Sequence, residues 1–114
     1  MELSYIRRYR VNNLNSVLIE GTLVEDVHPP FEDGSDAFFT VVSYRFYKKD
    51  GDILKEKCFV DIWVSEPLIK ACLALGKKGR EIRVVGRLKS LDSESGKRPF
   101  LVVVAEHVEF RKQK

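Results

Sequence analysis

Residues 37–64 read AFFTVVSYRFYKKDGDILKEKCFVDIWV, and this stretch decides the fold. Two runs rich in β-branched and aromatic residues, Ala37 to Tyr47 and Ile53 to Val64, flank the pair Asp50-Gly51. Asp-Gly between two such runs is a strong hairpin signal, because both residues accept the positive φ of a two-residue turn whose twist matches the strands. In the second run Cys58, Val60, Ile62 and Val64 alternate with Phe59, Asp61 and Trp63. The first set is expected to face the core, and the other face then carries two aromatics.

Outward from this hairpin the same reading continues. Val17, Ile19, Gly21 and Leu23 alternate with Leu18, Glu20, Thr22 and Val24, which predicts a half-buried strand ending near Val27. His28-Pro29-Pro30 and Glu32-Asp33-Gly34-Ser35 then supply turn chemistry. Beyond the hairpin, Ser65-Glu66-Pro67 predicts a helix start with Ser65 as cap and Pro67 in the first turn. Leu68, Ile69, Cys72, Leu73 and Leu75 follow at helical spacing, and Gly76 reads as a left-handed cap. After Gly79 alternation returns, with Ile82, Val84, Gly86 and Leu88 inward and Arg83, Val85, Arg87 and Lys89 outward. A polar turn from Asp92 to Lys97 leads into a last strand, Phe100 to Phe110.

Strand, strand, strand, helix, strand, strand within 114 residues leaves room for one core. Closing five strands into a barrel buries the helix and the inner faces while removing sheet edges, so the expected class is all-β, a five-stranded barrel with one helix. That domain is expected over residues 15–110, with an N-terminal extension at 1–14 and a short basic tail at 111–114.

Composition narrows the functions. The chain is 44% hydrophobic, 11% aromatic and 32% charged, which suits a folded domain and not a disordered one. Its longest aliphatic run, Leu101 to Ala105, is far too short to cross a bilayer as a helix. No apolar signal core follows Arg7, Arg8 and Arg10, so a cytoplasmic protein with no membrane partner is expected. Cys58 and Cys72 lie apart, with only His28 and His107 to help them, which does not make a zinc site. No metal and no cofactor are expected, and both thiols are expected buried and reduced.

The net charge of +3 is unevenly spread. Residues 1–35 carry three arginines against six acids, 36–64 five basic residues against five acids, and 65–114 twelve against six. The excess of positive charge in the C-terminal half makes a polyanion a reasonable partner, although such an excess is also how a solvated face looks.

The chain carries no Gly-x-Ser-x-Gly elbow and no phosphate-binding loop opening a helix. Gly76-Lys77-Lys78-Gly79 follows its helix, where the dipole disfavours anions. Asp61 and Glu66 come nearest to a carboxylate pair, and nothing sets their acidities apart. An enzyme is not expected. What remains is Arg45, Phe46, Tyr47, Lys48 and Lys49, then Lys55, Lys57, Phe59 and Trp63, bracketing one hairpin. Cations for phosphates and flat rings for bases are what a single-stranded nucleic acid requires. Periodicity leaves both a stacking and a packing role open for Phe59 and Trp63.

Three segments carry a family resemblance. Asn15 to Asp26, with its apolar alternation and Gly21-Thr22-Leu23, resembles the opening strand of the bacterial single-stranded DNA-binding protein family. Lys78-Gly79 with Ile82 to Leu88 is similar to that family's Lys-Gly turn and fourth strand, and Val102 to Phe110 resembles its closing strand. The resemblance implies an oligonucleotide-binding barrel (OB-fold) that dimerises through its first strand, commonly forms homotetramers, and coats and protects single-stranded DNA in replication, repair and recombination. It places the stacking aromatics at Tyr47 and Phe59, with Trp63 farther along the face of Phe59. It also carries over Arg87, Lys89 and Arg98 as basic contacts, beside the hairpin's Arg45, Lys48, Lys49 and Lys57.

The chain departs from the family in three places. Leu88 to Ser93 lacks the aromatic that usually follows the fourth strand, and His28 to Ser35 is acidic and proline-rich. The sequence stops at Arg111-Lys112-Gln113-Lys114, without the acidic tail that recruits partners. Either the sequence is a piece of a longer chain or the protein is a tailless relative; a chain without the tail is similar to the primosomal replication proteins of the B type, related barrels that restart stalled forks. A barrel that uses its aromatics against a protein partner, with no nucleic acid, is the alternative from another class.

Overall fold

Asp50 and Gly51 take φ of 52° and 86° in the computed structural model, which describes residues 12–28, 36–92 and 100–112. This is the backbone of a two-residue hairpin turn with positive φ at both central positions. A Cβ at Gly51 would meet nothing within 4 Å, so glycine serves there for its conformation and not for space. The turn joins β2 (Asp36–Lys49) to β3 (Asp52–Ser65), paired without a slip from Lys49↔Asp52 to Asp36↔Ser65.

The remaining elements are β1 (Val17–Leu23), α1 (Ile69–Leu75), β4 (Glu81–Leu91) and β5 (Phe100–Phe110). The strands close into a barrel in the order β1-β2-β3-β5-β4. Among the described strands only the β3–β5 contact is parallel. With the helix between β3 and β4, this is the architecture of an OB-fold. Leu23, Phe39, Val41, Ile62, Val64, Ile82 and Val84 fill the inside, and α1 adds Ile69 and Cys72 to the same cluster. Each such aliphatic side chain contributes roughly 1.5–3 kcal/mol on burial, so the alternating pattern is what drives closure.

Local details differ from the sequence expectations. β1 ends at Leu23 and not near Val27: Val24 N–H still reaches the Thr40 carbonyl of β2, but Val27 N–H turns away to that of Gly76. Ser65 does not cap the helix: it is the last residue of β3, opposite Asp36, and its carbonyl accepts Leu68 N–H at 2.9 Å. Leu68 holds the cap position with no side-chain hydrogen bond. Gly76 is not left-handed (φ −83°); a Cβ there would stand 2.3 Å from Val27 Cγ2, so glycine is needed for close approach.

Cys72 is buried, and burial pushes its thiol up to about 11. Cys58, expected to be buried too, is exposed. The reason is the reach of the hairpin. β1 pairs with β2 only at Thr22↔Val42 and Leu23↔Val41, and β3 pairs with β5 only at Ile62↔Val103 and Trp63↔Val104. From Ser43 to Cys58 no third strand covers either edge among the described residues. The hairpin therefore leaves the barrel as a two-stranded ribbon, and at about 3.3 Å per residue it projects roughly 20–25 Å.

Candidate nucleic-acid interface

Residues directly opposite in an antiparallel pair present their side chains on the same face. The register puts Phe38 with Trp63, Thr40 with Asp61, Val42 with Phe59, Tyr44 with Lys57, Phe46 with Lys55, and Lys48 with Ile53. The core residues Phe39, Val41, Ile62 and Val64 have the other parity, so this first set is the outer face of the barrel and one face of the ribbon.

That face is unusually aromatic for an exposed surface. Phe46 is 65% exposed, Phe59 63% and Tyr44 44%, where phenylalanine is ordinarily among the more buried residues. Lysines stand among the rings. Lys55 Nζ lies 4.3 Å from the centre of Tyr44 and 5.9 Å from that of Phe46, within cation–π range. Lys48 and Lys57 have no carboxylate partner among the described residues.

The surface continues onto the barrel through Trp63. Its ring is half-buried against Phe38, with centroids 5.2 Å apart and planes tilted by 34°. Lys89 Nζ sits 4.4 Å from the Trp63 ring centre. Val104 of β5 lies between Trp63 and Arg87, being paired with both. Arg87 has Glu106 at 3.6 Å, so part of its charge is already compensated.

The structure thus brings Lys48, Lys57, Phe59, Trp63, Arg87 and Lys89 onto one continuous outer surface. Arg45, Tyr47 and Lys49 fall on the ribbon's opposite face, with Leu54 and Glu56. There Arg45 pairs with Glu56 at 3.5 Å and its guanidinium lies 5.0 Å from the Tyr47 ring. Arg98 lies outside the described residues. Tyr44, Phe46, Lys55 and Phe38 join the surface although the family resemblance did not place them in the site. The signal for them was in the sequence: equal steps outward from Asp50-Gly51 pair Val42 with Phe59, so every second residue from Val42 shares that face.

The adjoining strands, where Glu20, Glu81 and Arg111 border Tyr44, show what compensated charge looks like. Arg83 lies 3.3 Å from Glu20 and 3.8 Å from Glu109, and Arg111 binds Glu20 and reaches Glu81 at 3.8 Å. The Arg111 hydrogen bond, with Arg83 alongside, holds the Glu20 carboxyl below its ordinary range. These arginines are taken up by a ladder across β1, β4 and the end of β5, whereas the lysines of the aromatic face are not.

No family model matches this chain, and no curated protein matches it in sequence. Among solved structures it is similar to the Plasmodium falciparum SSB in complex with ssDNA, with a TM-score of 0.78 and 15% identity over 90% of this chain and 98% of that one. The likeness is one of fold, and it extends over nearly the whole of both chains.

Proposed function

We propose that this protein binds single-stranded DNA along the Phe59 face, and that it coats and protects single strands during replication, repair and recombination. The observation that carries this reading is the interleaving of exposed Tyr44, Phe46 and Phe59 with Lys48, Lys55 and Lys57 on one face of the ribbon, continuous with Trp63 and Lys89 on the barrel. Rings without a protein cover offer stacking worth about 1–3 kcal/mol per base, and lysines without carboxylates remain available to phosphates. The fold shared with a protein solved on ssDNA supports the same reading.

Assembly through β1 belongs to this proposal. Leu18 is 69% exposed on that strand, and the β1 edge facing β2 is paired only at Thr22 and Leu23 among the described strands. A second copy added there would extend the sheet and cover Leu18.

Titration with oligo-dT across a range of salt tests the proposal. If three to five of Lys48, Lys55, Lys57, Arg87 and Lys89 contact phosphates, log affinity falls against log salt with a slope of about −2 to −4, from roughly 0.7 counterion released per contact. No binding at low salt, or an affinity indifferent to salt, overturns it in favour of a barrel that binds protein partners.

A further inference from the structure

One acidic group stands in the middle of this face. Asp61 lies on β3 between Phe59 and Trp63, and its side chain shares their face because Thr40, Val42 and Phe38 oppose the three in turn. Thr40 Oγ1 donates to Asp61 Oδ1 at 2.8 Å, which fixes the carboxylate against the strand opposite. Asp61 is exposed, and among the described residues no lysine, arginine or histidine pairs with it. The nearest cations of the surface are otherwise placed: Lys89 lies on the Trp63 ring, and Lys57 stands beyond Phe59, about 13 Å from Asp61 along the strand.

A carboxylate is a poor neighbour for phosphate and a strong hydrogen-bond acceptor. It takes bonds only from donors. Bases stacked on Phe59 and Trp63 would bring their edges over the gap between the rings, where Asp61 is held. Cytosine offers an exocyclic amine there, the donor that aspartate and glutamate accept from in base recognition, and adenine and guanine also carry amines. Thymine has no amine: the one donor of its edge, N3–H, stands between two carbonyl oxygens whose lone pairs face the carboxylate and repel it.

We propose that Asp61 is a specificity-determining residue, which makes the aromatic face prefer amino-bearing bases to thymine and keeps the phosphate backbone off the centre of the surface. Stacking and phosphate contacts are tolerant of sequence, so any discrimination at this face falls to a group that meets base edges, and Asp61 lies between the two rings. The inference rests on the proposed binding of single strands.

Equilibrium titrations with oligo-dC and oligo-dT of equal length, at one salt concentration, test it on the wild type and on Asp61→Ala. The wild type is expected to bind oligo-dC more tightly. In Asp61→Ala the ratio of the two affinities is expected to drop at least fivefold, with the affinity for oligo-dT itself rising as the repulsion is removed. A wild type that binds both strands, with a ratio that Asp61→Ala leaves unchanged, overturns this inference while the single-strand reading stands. A wild type that binds neither strand overturns the reading on which it rests.

Discussion

Phe39 and Phe46 belong to the same fourteen-residue strand, yet Phe39 is 2% exposed and Phe46 is 65% exposed. Phe39 lies where β2 is part of the closed barrel, and its parity points it at Ile62, Val64 and the helix. Phe46 lies past Val42, where β1 has parted from β2, and has the opposite parity. Charge divides along similar lines. Across β1, β4 and the end of β5 the arginines Arg83 and Arg111 are matched by Glu20, Glu81 and Glu109, while Lys48 and Lys57 on the ribbon have no such partners among the described residues. An aromatic in a strand is therefore core only as far as a neighbouring element covers it. Where the cover stops, the same residue type becomes a surface that a ligand can use.

The sharpest way to break this contrast is to cut both regions equally. Ile62→Ala, at a fully buried barrel position, is expected to cost about 2–5 kcal/mol of folding stability and to leave the affinity of the folded protein for oligo-dT unchanged. Phe46→Ala on the ribbon is expected to cost no more than about 0.5 kcal/mol of stability, as exposed sites do, and to weaken binding. Chemical denaturation read beside a DNA titration measures both. If Phe46→Ala destabilises as much as Ile62→Ala, the ribbon's aromatics are packed and the contrast fails.

A smaller effect sharpens the same boundary without touching stability. Cys58 lies on the ribbon and Cys72 in the barrel, where burial pushes the thiol up to about 11. Since only the thiolate reacts, and only where a reagent can reach it, a thiol-reactive disulfide at pH 8 is expected to label one thiol per native chain quickly. The second should appear only on unfolding. Two fast thiols in the native protein would mean that α1 does not seal the barrel.

Much of this was legible in the sequence because it depends on period and turn chemistry. Asp50-Gly51 fixed the hairpin and its register, and the alternation of Val60, Ile62 and Val64 identified the core face. What escaped was how far the barrel extends. Nothing in the run Tyr44 to Cys58 marks the point where β1 and β5 part from the hairpin, so Cys58 reads as core by parity and is exposed in fact. The helix start departs from its local signal for a related reason. Ser65 suits a cap, but pairing with Asp36 keeps it in β3, and a tertiary contact overrides the local preference. The family resemblance makes Tyr47 a stacking position as it does Phe59, whereas counting from the turn sets Tyr47 on the ribbon's other face, next to Arg45 and Glu56.

That division between the ribbon's two faces makes the central claim open to direct measurement. Oligo-dT affinities of Phe59→Ala and Tyr47→Ala, taken at one salt concentration beside the wild type, compare two aromatic truncations on opposite sides of the same two-stranded ribbon. Binding by stacking on the Phe59 face predicts a loss of about 1–3 kcal/mol for Phe59→Ala and less than about 0.5 kcal/mol for Tyr47→Ala, with both variants as stable as the wild type. A loss confined to Tyr47→Ala, or no loss in either variant, would contradict it.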